Sequence, residues 1–430
     1  MLACLLAIGR DPTYGLIAYV AAFYVEPASR WWGQGWMQEV RWVFVAAGVT
    51  ALSLLLHKRS ASGSAASRSG AAWGTLLFLI WVIIQSAWVL DSSLHFDFLV
   101  MWIKFAVVFL MICLCIDSEA KLRKFLWAHV IGCFYLGWTA YAYYRGGRFE
   151  GFGDSQFGEA NAGALQLVTG LVVVGALFLA EKWPARAMLI VIAAFIANGI
   201  VTTVSRSGFL AALMAGLAFN LFVPVQHRRK TRVLSAIAAV LFLSLTTQHY
   251  WDRMQTIKHV GTEVEGVDTG GGRREIIAAQ WQMFLDHPFG CGHACTAVLS
   301  PQYMDPRLLS IGGMRASHNT VMTMLVDHGI PGVIFYFAML YWVGRSTLLL
   351  AKRLRGGEGF YSALLPGLAA VFTAITVGDV FVQYPKLEVR IWFIGLLAVM
   401  LQLTSVAQSA PARLTRPARS LRKSLRSTEM

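Results

Sequence analysis

Phe98-Leu99-Val100-Met101-Trp102-Ile103-Lys104-Phe105-Ala106-Val107-Val108-Phe109-Leu110-Met111-Ile112-Cys113-Leu114-Cys115-Ile116 decides the fold class. It is 19 residues with one charge, Lys104, and about 20 predominantly apolar residues are what an α-helix needs to cross the hydrocarbon of a bilayer. The run stops at Asp117 and Glu119, passes Lys121, Arg123 and Lys124, and turns apolar again over 124–144. Working outward, similar runs fall near 13–25, 40–56 and 72–90 on one side. On the other they fall near 161–180, 187–204, 207–224, 233–250, 319–343, 361–381 and 389–408. In lipid every backbone N–H and C=O must find its partner within the segment, so such runs are helices. No long alternating pattern of a β-barrel is present. The expectation is an all-α polytopic membrane protein with about twelve transmembrane helices.

Composition agrees. Of 430 residues 57% are hydrophobic and 14% charged, with a mean hydropathy of +0.56. A soluble domain carries roughly 25% charged residues, so an ordinary soluble enzyme is excluded. The 26 Phe, 15 Trp and 13 Tyr exclude a solvated disordered chain. A net charge of +14 would suggest nucleic acid in a soluble protein. Here the basic residues cluster between apolar runs, so they report topology and imply no nucleic acid partner. With both termini cytoplasmic, the clusters Lys58-Arg59, Lys121–Lys124, Lys182–Arg186, Arg228–Arg232, Lys352–Arg355 and the tail from Arg413 all face inside. That order gives transmembrane helices 1–9 over 1–250 and a large outward loop over 251–317. Helices 10–12 then occupy 318–408 and a basic cytoplasmic tail 409–430. Leu2–Ile8 is too short to span and reads as an interfacial stub; a cleaved signal peptide is not expected, since no basic n-region precedes it. Ser60–Gly70 reads as a flexible linker.

Cys4, Cys113, Cys115 and Cys133 fall in or beside apolar runs and read as packing residues. Cys291 and Cys295 stand in the outward loop, where a disulfide is redox-permitted. The order His287, Cys291, His293, Cys295 fits no standard zinc spacing, and no metal is expected.

Four outward-side stretches carry chemistry. Thr202-Thr203-Val204-Ser205-Arg206-Ser207-Gly208 joins two spans with almost no loop, holding Arg206 at the membrane surface; snorkelling toward lipid headgroups is the bland alternative. Gly270-Gly271-Gly272-Arg273-Arg274-Glu275 is a glycine-rich turn before a helix whose first turn holds two arginines, a combination suited to phosphate. Arg315-Ala316-Ser317-His318-Asn319-Thr320 brings a histidine to the entry of a span, where an imidazole can act as a base or merely cap the helix. The loop from Arg145 through Arg148 to Asn161 adds a further arginine and an amide, although an N-cap role alone accounts for Asn161. Two arginines and a histidine on one side of the membrane suit a diphosphate leaving group and an attacking hydroxyl. No nucleotide-binding loop is visible, as expected for a substrate that arrives activated.

These pieces resemble the O-antigen ligase and polymerase superfamily, bacterial inner-membrane glycosyltransferases. The resemblance is carried by Thr203–Gly208, Arg273 eight residues before Trp281, His287-Pro288-Phe289-Gly290-Cys291-Gly292 and Ser317-His318-Asn319, in family order. Glu26-Pro27-Ala28-Ser29-Arg30-Trp31-Trp32 is similar to the opening of ligase-type members. The resemblance implies a GT-C-like fold, an active site facing the periplasm, a donor glycan on undecaprenyl diphosphate, and a glycan or lipid-anchored acceptor such as lipid A-core. It implies His318 as the base and Arg206 and Arg273 on the diphosphate, with Arg274, Arg315, Asn319, Arg148 and Asn161 binding substrate. The transfer would invert the anomeric centre with no cofactor and no metal. Cys291 departs from the family pattern and would leave a thiol near the site. The ligase reading is preferred to a repeat-unit polymerase of the same chemistry. A transporter or flippase for a lipid-linked anion is the alternative from another class, with Lys104 and Asp379 as its candidate intramembrane charges.

Overall fold

The computed structural model describes residues 2–57, 65–152, 158–246, 248–255, 272–310, 312–317, 319–381 and 387–414. Every regular element among them is helical. The first third holds α1 (Leu2–Gly9), α2 (Thr13–Val25), α3 (Trp36–Glu39), α4 (Trp42–Leu56), α5 (Gly70–Gln85) and α6 (Ser92–Cys115). Then follow α7 (Glu119–Tyr143), α8 (Ala160–Ala180), α9 (Ala185–Thr202), α10 (Arg206–Phe222), α11 (Arg228–Leu245) and α12 (Gln248–Gln255). The last group is α13 (Arg273–Asp286), α14 (Cys295–Tyr303), α15 (Thr320–Arg353), α16 (Phe360–Phe381) and α17 (Glu388–Leu414).

Six of these helices, α6, α8, α9, α15, α16 and α17, are long and apolar enough to cross a membrane. A seventh crossing is added if α10 and α11 count as one broken span, bent by 118° between them. Pro224, which cannot donate a ladder hydrogen bond, stands at that bend. The other apolar runs form shorter or more charged helices. Trp42–Leu56 has 15 residues and Gly70–Gln85 has 16. α2 stops after 13 residues because Glu26 turns left-handed at φ 45° and Pro27 follows.

The apolar run 319–343 does not form one unbroken rod. Gly329 sits at φ 66° and ψ −163°, dividing α15 into 320–328 and 330–353. Pro331 lies in the first turn of the second part, where its missing N–H costs nothing.

At the centre stand α8 and α16, the most buried of the crossing helices. α10 packs along α16, and α16 packs along α8. Small residues let these backbones approach, as in other membrane bundles. A Cβ on Gly208 of α10 would lie 2.6 Å from Ala164 Cβ of α8. Where α7 crosses α9, a Cβ on Gly199 would lie 3.2 Å from Gly137 Cα. The core is completed by Trp392 and Phe393 of α17 against Phe125, Tyr24 and His129.

The helix ends sort into two sets. At one end Lys121 pairs with Asp11 at 2.9 Å and Asp117 at 3.0 Å, Arg123 pairs with Glu181 at 2.6 Å, and Gln226 reaches the carbonyl of Gly357 at 3.2 Å. At the opposite end the Phe149 N–H donates to Thr202 O at 3.0 Å, Ser205 meets Asn161, and Asn319 meets Val380. All the outward candidates with described neighbours belong to this second set.

Candidate functional site

Arg206 is the first residue of α10 and half-buried. Its position follows from an unusually tight turn. Thr202 and Thr203 hydroxyls bond back to Gly199 O and Ile200 O at 3.0 and 2.6 Å, closing α9. Val204 then adopts φ 47°, a conformation that a β-branched residue rarely takes. Ser205 caps α10 by accepting the Gly208 N–H at 3.0 Å. Strain of this kind persists only where the surroundings over-determine it, and it concentrates at functional positions.

Asn161 supplies part of those surroundings. It is not the N-cap of α8, as the sequence reading allowed; Glu159 is, and Asn161 is the second residue of the helix. Its Oδ1 accepts from Ser205 Oγ at 2.7 Å and from Ser207 Oγ at 3.4 Å, while its Nδ2 donates to Glu159 Oε1 at 2.8 Å. The two residues flanking Arg206 are therefore tied to the neighbouring helix. Because the α10 N-terminus carries partial positive charge from its unpaired N–H groups, Arg206 adds to a field that favours an anion.

Arg148 lies in the loop before α8, with its Nε 3.5 Å from Glu150 Oε1. That loop is strapped over the same end of the bundle. Phe152 fills the gap above Gly163, and Arg30 holds the strap by donating to Phe152 O at 3.2 Å and to Val25 O at 2.8 Å. Arg30 also stacks over Tyr135 at 5.1 Å, which gives the Glu26–Trp32 stretch a structural role that its sequence did not explain.

His318 lies outside the described residues, and so does the side chain of Arg273, whose backbone opens α13. Arg274 is exposed. Arg315 is half-buried; its N–H donates to Ser300 Oγ at 2.8 Å, and its Nε is buried with no hydrogen-bond partner among the described residues. Asn319 caps 320–328 by accepting the Met322 N–H at 3.0 Å, and its Nδ2 donates to Val380 O at 3.2 Å. The segment next to His318 is thus fastened to the end of α16, the helix on which α10 also packs. Asp154 lies outside the described residues.

The structure also assembles groups that the sequence did not single out. The loop 287–293 meets the α15 break backbone to backbone. A Cβ on Gly290 would lie 2.6 Å from Asp327 O, and one on Gly329 would lie 2.3 Å from the Phe289 carbonyl carbon. Asp327 accepts from Ala294 N at 2.9 Å and Thr296 N at 3.3 Å, covering the start of α14. Gln85 donates to Asp327 O at 2.8 Å and pairs with His328 Nδ1 at 2.9 Å. His95 Nδ1 accepts the His293 N–H at 3.2 Å, so its Nε2 is the protonated nitrogen and donates to Val82 O at 2.9 Å. Phe98 stacks on both His293 and His328, at 4.2 and 4.9 Å between ring centres. Two indoles, Trp81 and Trp88, donate to His328 O and Gly290 O.

Cys291 is not a free thiol beside the site: it forms a disulfide with Cys295. His293 lies 3.6 Å from Asp327 and stacks on Phe98, and no group of three or more metal-type side chains gathers among the described residues. Asp379 is buried in an ion pair with Arg390 and accepts from Tyr336 Oη at 2.9 Å, while Lys104 is exposed on α6.

No curated protein matches the chain. A family model described as O-antigen ligase matches residues 191–337. That stretch runs from the middle of α9 through the Arg206 turn, α13 and the Gly290–Gly329 contact into α15. Over those residues the chain is similar to O-antigen ligases, and its several long apolar helices make it a multi-pass membrane protein.

Proposed function

We propose that this protein is an O-antigen ligase-type glycosyltransferase, moving a glycan from undecaprenyl diphosphate to a hydroxyl on lipid A-core or a related acceptor. The observation that carries the reading is the Arg206 turn, strained at Val204 and clamped by Asn161 through Ser205 and Ser207. In this reading the chain crosses the bacterial inner membrane about twelve times, with 251–317 as a periplasmic loop and both termini inside. What supports that sidedness is the sorting of helix ends into two sets, one rich in Lys and Arg ion pairs and one carrying the Arg206 turn.

The mechanism follows from the groups. His318 accepts the proton of the acceptor hydroxyl as it attacks the anomeric carbon, and the bond to the diphosphate breaks in the same displacement, inverting the centre. Arg206 and Arg273 hold the diphosphate and stabilise the charge that it gains on leaving. Arg274 and Arg315 assist, and Arg148, Asn161 and Asn319 line the approach. The cleaved glycosyl–diphosphate bond supplies the driving force, and arginines take the part that a cation plays elsewhere.

The test is the surface-glycan ladder of a deletion strain complemented with wild type or with His318→Ala, membrane levels being equal. Restoration by wild type alone, with undecaprenyl-linked polymer accumulating in the mutant, supports the ligase. Accumulation of single repeat units instead makes the protein a polymerase. A ladder fully restored by His318→Ala removes the base and favours a transporter, which reconstituted protein would reveal as leaflet crossing without bond exchange.

A further inference from the structure

Between α13 and the segment before α15 lies one fully buried glutamine. Gln280 has no exposed surface, and it stands seven residues, close to two turns, beyond position 273 on the helix that Arg273 opens. Its Nε2 donates to Ser317 Oγ at 2.7 Å, with a longer contact of 3.4 Å to Thr296 Oγ1. Ser317 is itself buried, and its hydroxyl donates onward to Asn319 O at 2.9 Å. Asn319 O also accepts from Thr323 Oγ1 at 2.8 Å, and the Asn319 amide reaches Val380 O. Both neighbours of position 318 are therefore fixed by side-chain hydrogen bonds, one toward α13 and one toward α16.

We propose that Gln280 is a positioning residue: through Ser317 it ties the chain on either side of position 318 to α13, the helix that Arg273 opens. This rests on the reading of His318 as the base. A packing role alone explains the contact poorly. A buried glutamine at a site that needed only volume would be replaced by an apolar side chain without loss, and Gln280 Oε1 has no hydrogen-bond partner among the described residues. Retaining a half-satisfied amide makes sense where its donor has a task. Holding a base and a diphosphate clamp in register is such a task, because misplacement by an ångström can cost about 100-fold in rate.

The experiment uses full-length protein in detergent, with total lipid-linked glycan extracted from the deletion strain as donor and the acceptor lipid fraction of that strain. Gln280→Met keeps the volume and removes the donor; Ser317→Ala is the milder partner should the first variant fold poorly. We expect each to lower kcat by about 100-fold with the donor KM within about twofold. The double variant should be no worse than Ser317→Ala alone, since both changes remove the Gln280–Ser317 hydrogen bond and only Ser317→Ala also removes the bond to Asn319 O. Folded variants with wild-type kcat, effects that multiply in the double variant, or a loss confined to KM would each overturn the proposal while leaving the His318 reading intact. An active His318→Ala measured alongside would overturn that reading, and the positioning role with it.

Discussion

The Arg206 turn and the Gly290–Gly329 contact are both built at the same end of the bundle, yet by opposite means. The turn is local. Seven consecutive residues close one helix, strain Val204 and open the next, and Asn161 from the neighbouring helix steadies them. The contact is assembled from afar. Gln85 and His95 from α5 and α6, the disulfide-bearing loop and the α15 break meet there, with one hydrogen bond joining residues 243 apart in the chain. The first region places a cation at a helix N-terminus. The second spends its polar groups on one another. The difference teaches that a site can be short in sequence while the frame that orients it is spread across the whole chain.

The comparison breaks if chemistry and frame cannot be separated by mutation. Arg206→Ala should reduce transfer by about 100- to 1,000-fold with unchanged membrane level, as removal of one charge-stabilising group does. Arg206→Lys should recover only part of it, because a lysine lacks the two-pronged fork. Both are read from the surface-glycan ladder. In the frame, Asp327→Ala leaves the N–H groups of Ala294 and Thr296 without their acceptor and should cost about 3 kcal/mol. Thermal unfolding in detergent checks this; a fully stable Asp327→Ala with activity as low as that of Arg206→Ala would move Asp327 from frame to chemistry.

A smaller effect sharpens the same division. Cys291→Ser opens the disulfide to Cys295 and should lower stability by about 2 kcal/mol, while transfer is retained at normal protein level. Lost transfer at normal level would mean that this loop does more than brace α14. The smallest effect lies at the opposite end of the molecule. Burial pushes the Asp11 carboxyl up, but hydrogen bonds from Lys121 and Thr13 outweigh it and hold the group below its ordinary value. A depressed carboxylate contributes stability above the unfolded value of about 3.9, lost as pH falls through the folded value. Partly exposed and screened by solvent, this pair should contribute under about 0.5 kcal/mol, seen as a shallower acid limb of unfolding in Asp11→Asn.

The candidate site was proposed largely from the sequence. Arg206 between two apolar runs, two arginines after a glycine turn, and Ser317-His318-Asn319 at a helix entry all announce themselves, because polar residues beside lipid-length runs are costly and so conspicuous. Asn161 was visible as a substrate ligand or an N-cap, but its bonds to Ser205 and Ser207 were not, since capping and cross-helix bonding use the same residue type at nearly the same place. Gln280 gave no signal; one glutamine beside Trp281 in a mixed helix is ordinary until Ser317 is placed next to it. Asp327 and His328 were hidden by the apolar run around them, which also concealed the break at Gly329.

The sequence by itself determined that the chain is a helical, multi-pass membrane protein and carries the motifs in order along residues 191–337. Those properties arise residue by residue against solvent and lipid, so hydropathy and charge report them directly. Only the tertiary structure decided that Cys291 is bridged, that Asn161 grips the Arg206 turn, that Asp379 is neutralised by Arg390, and that Gln280 reaches Ser317. Each of these is a directional contact between distant segments. Its strength depends on ångström-scale geometry, which no one-dimensional pattern of residue types encodes.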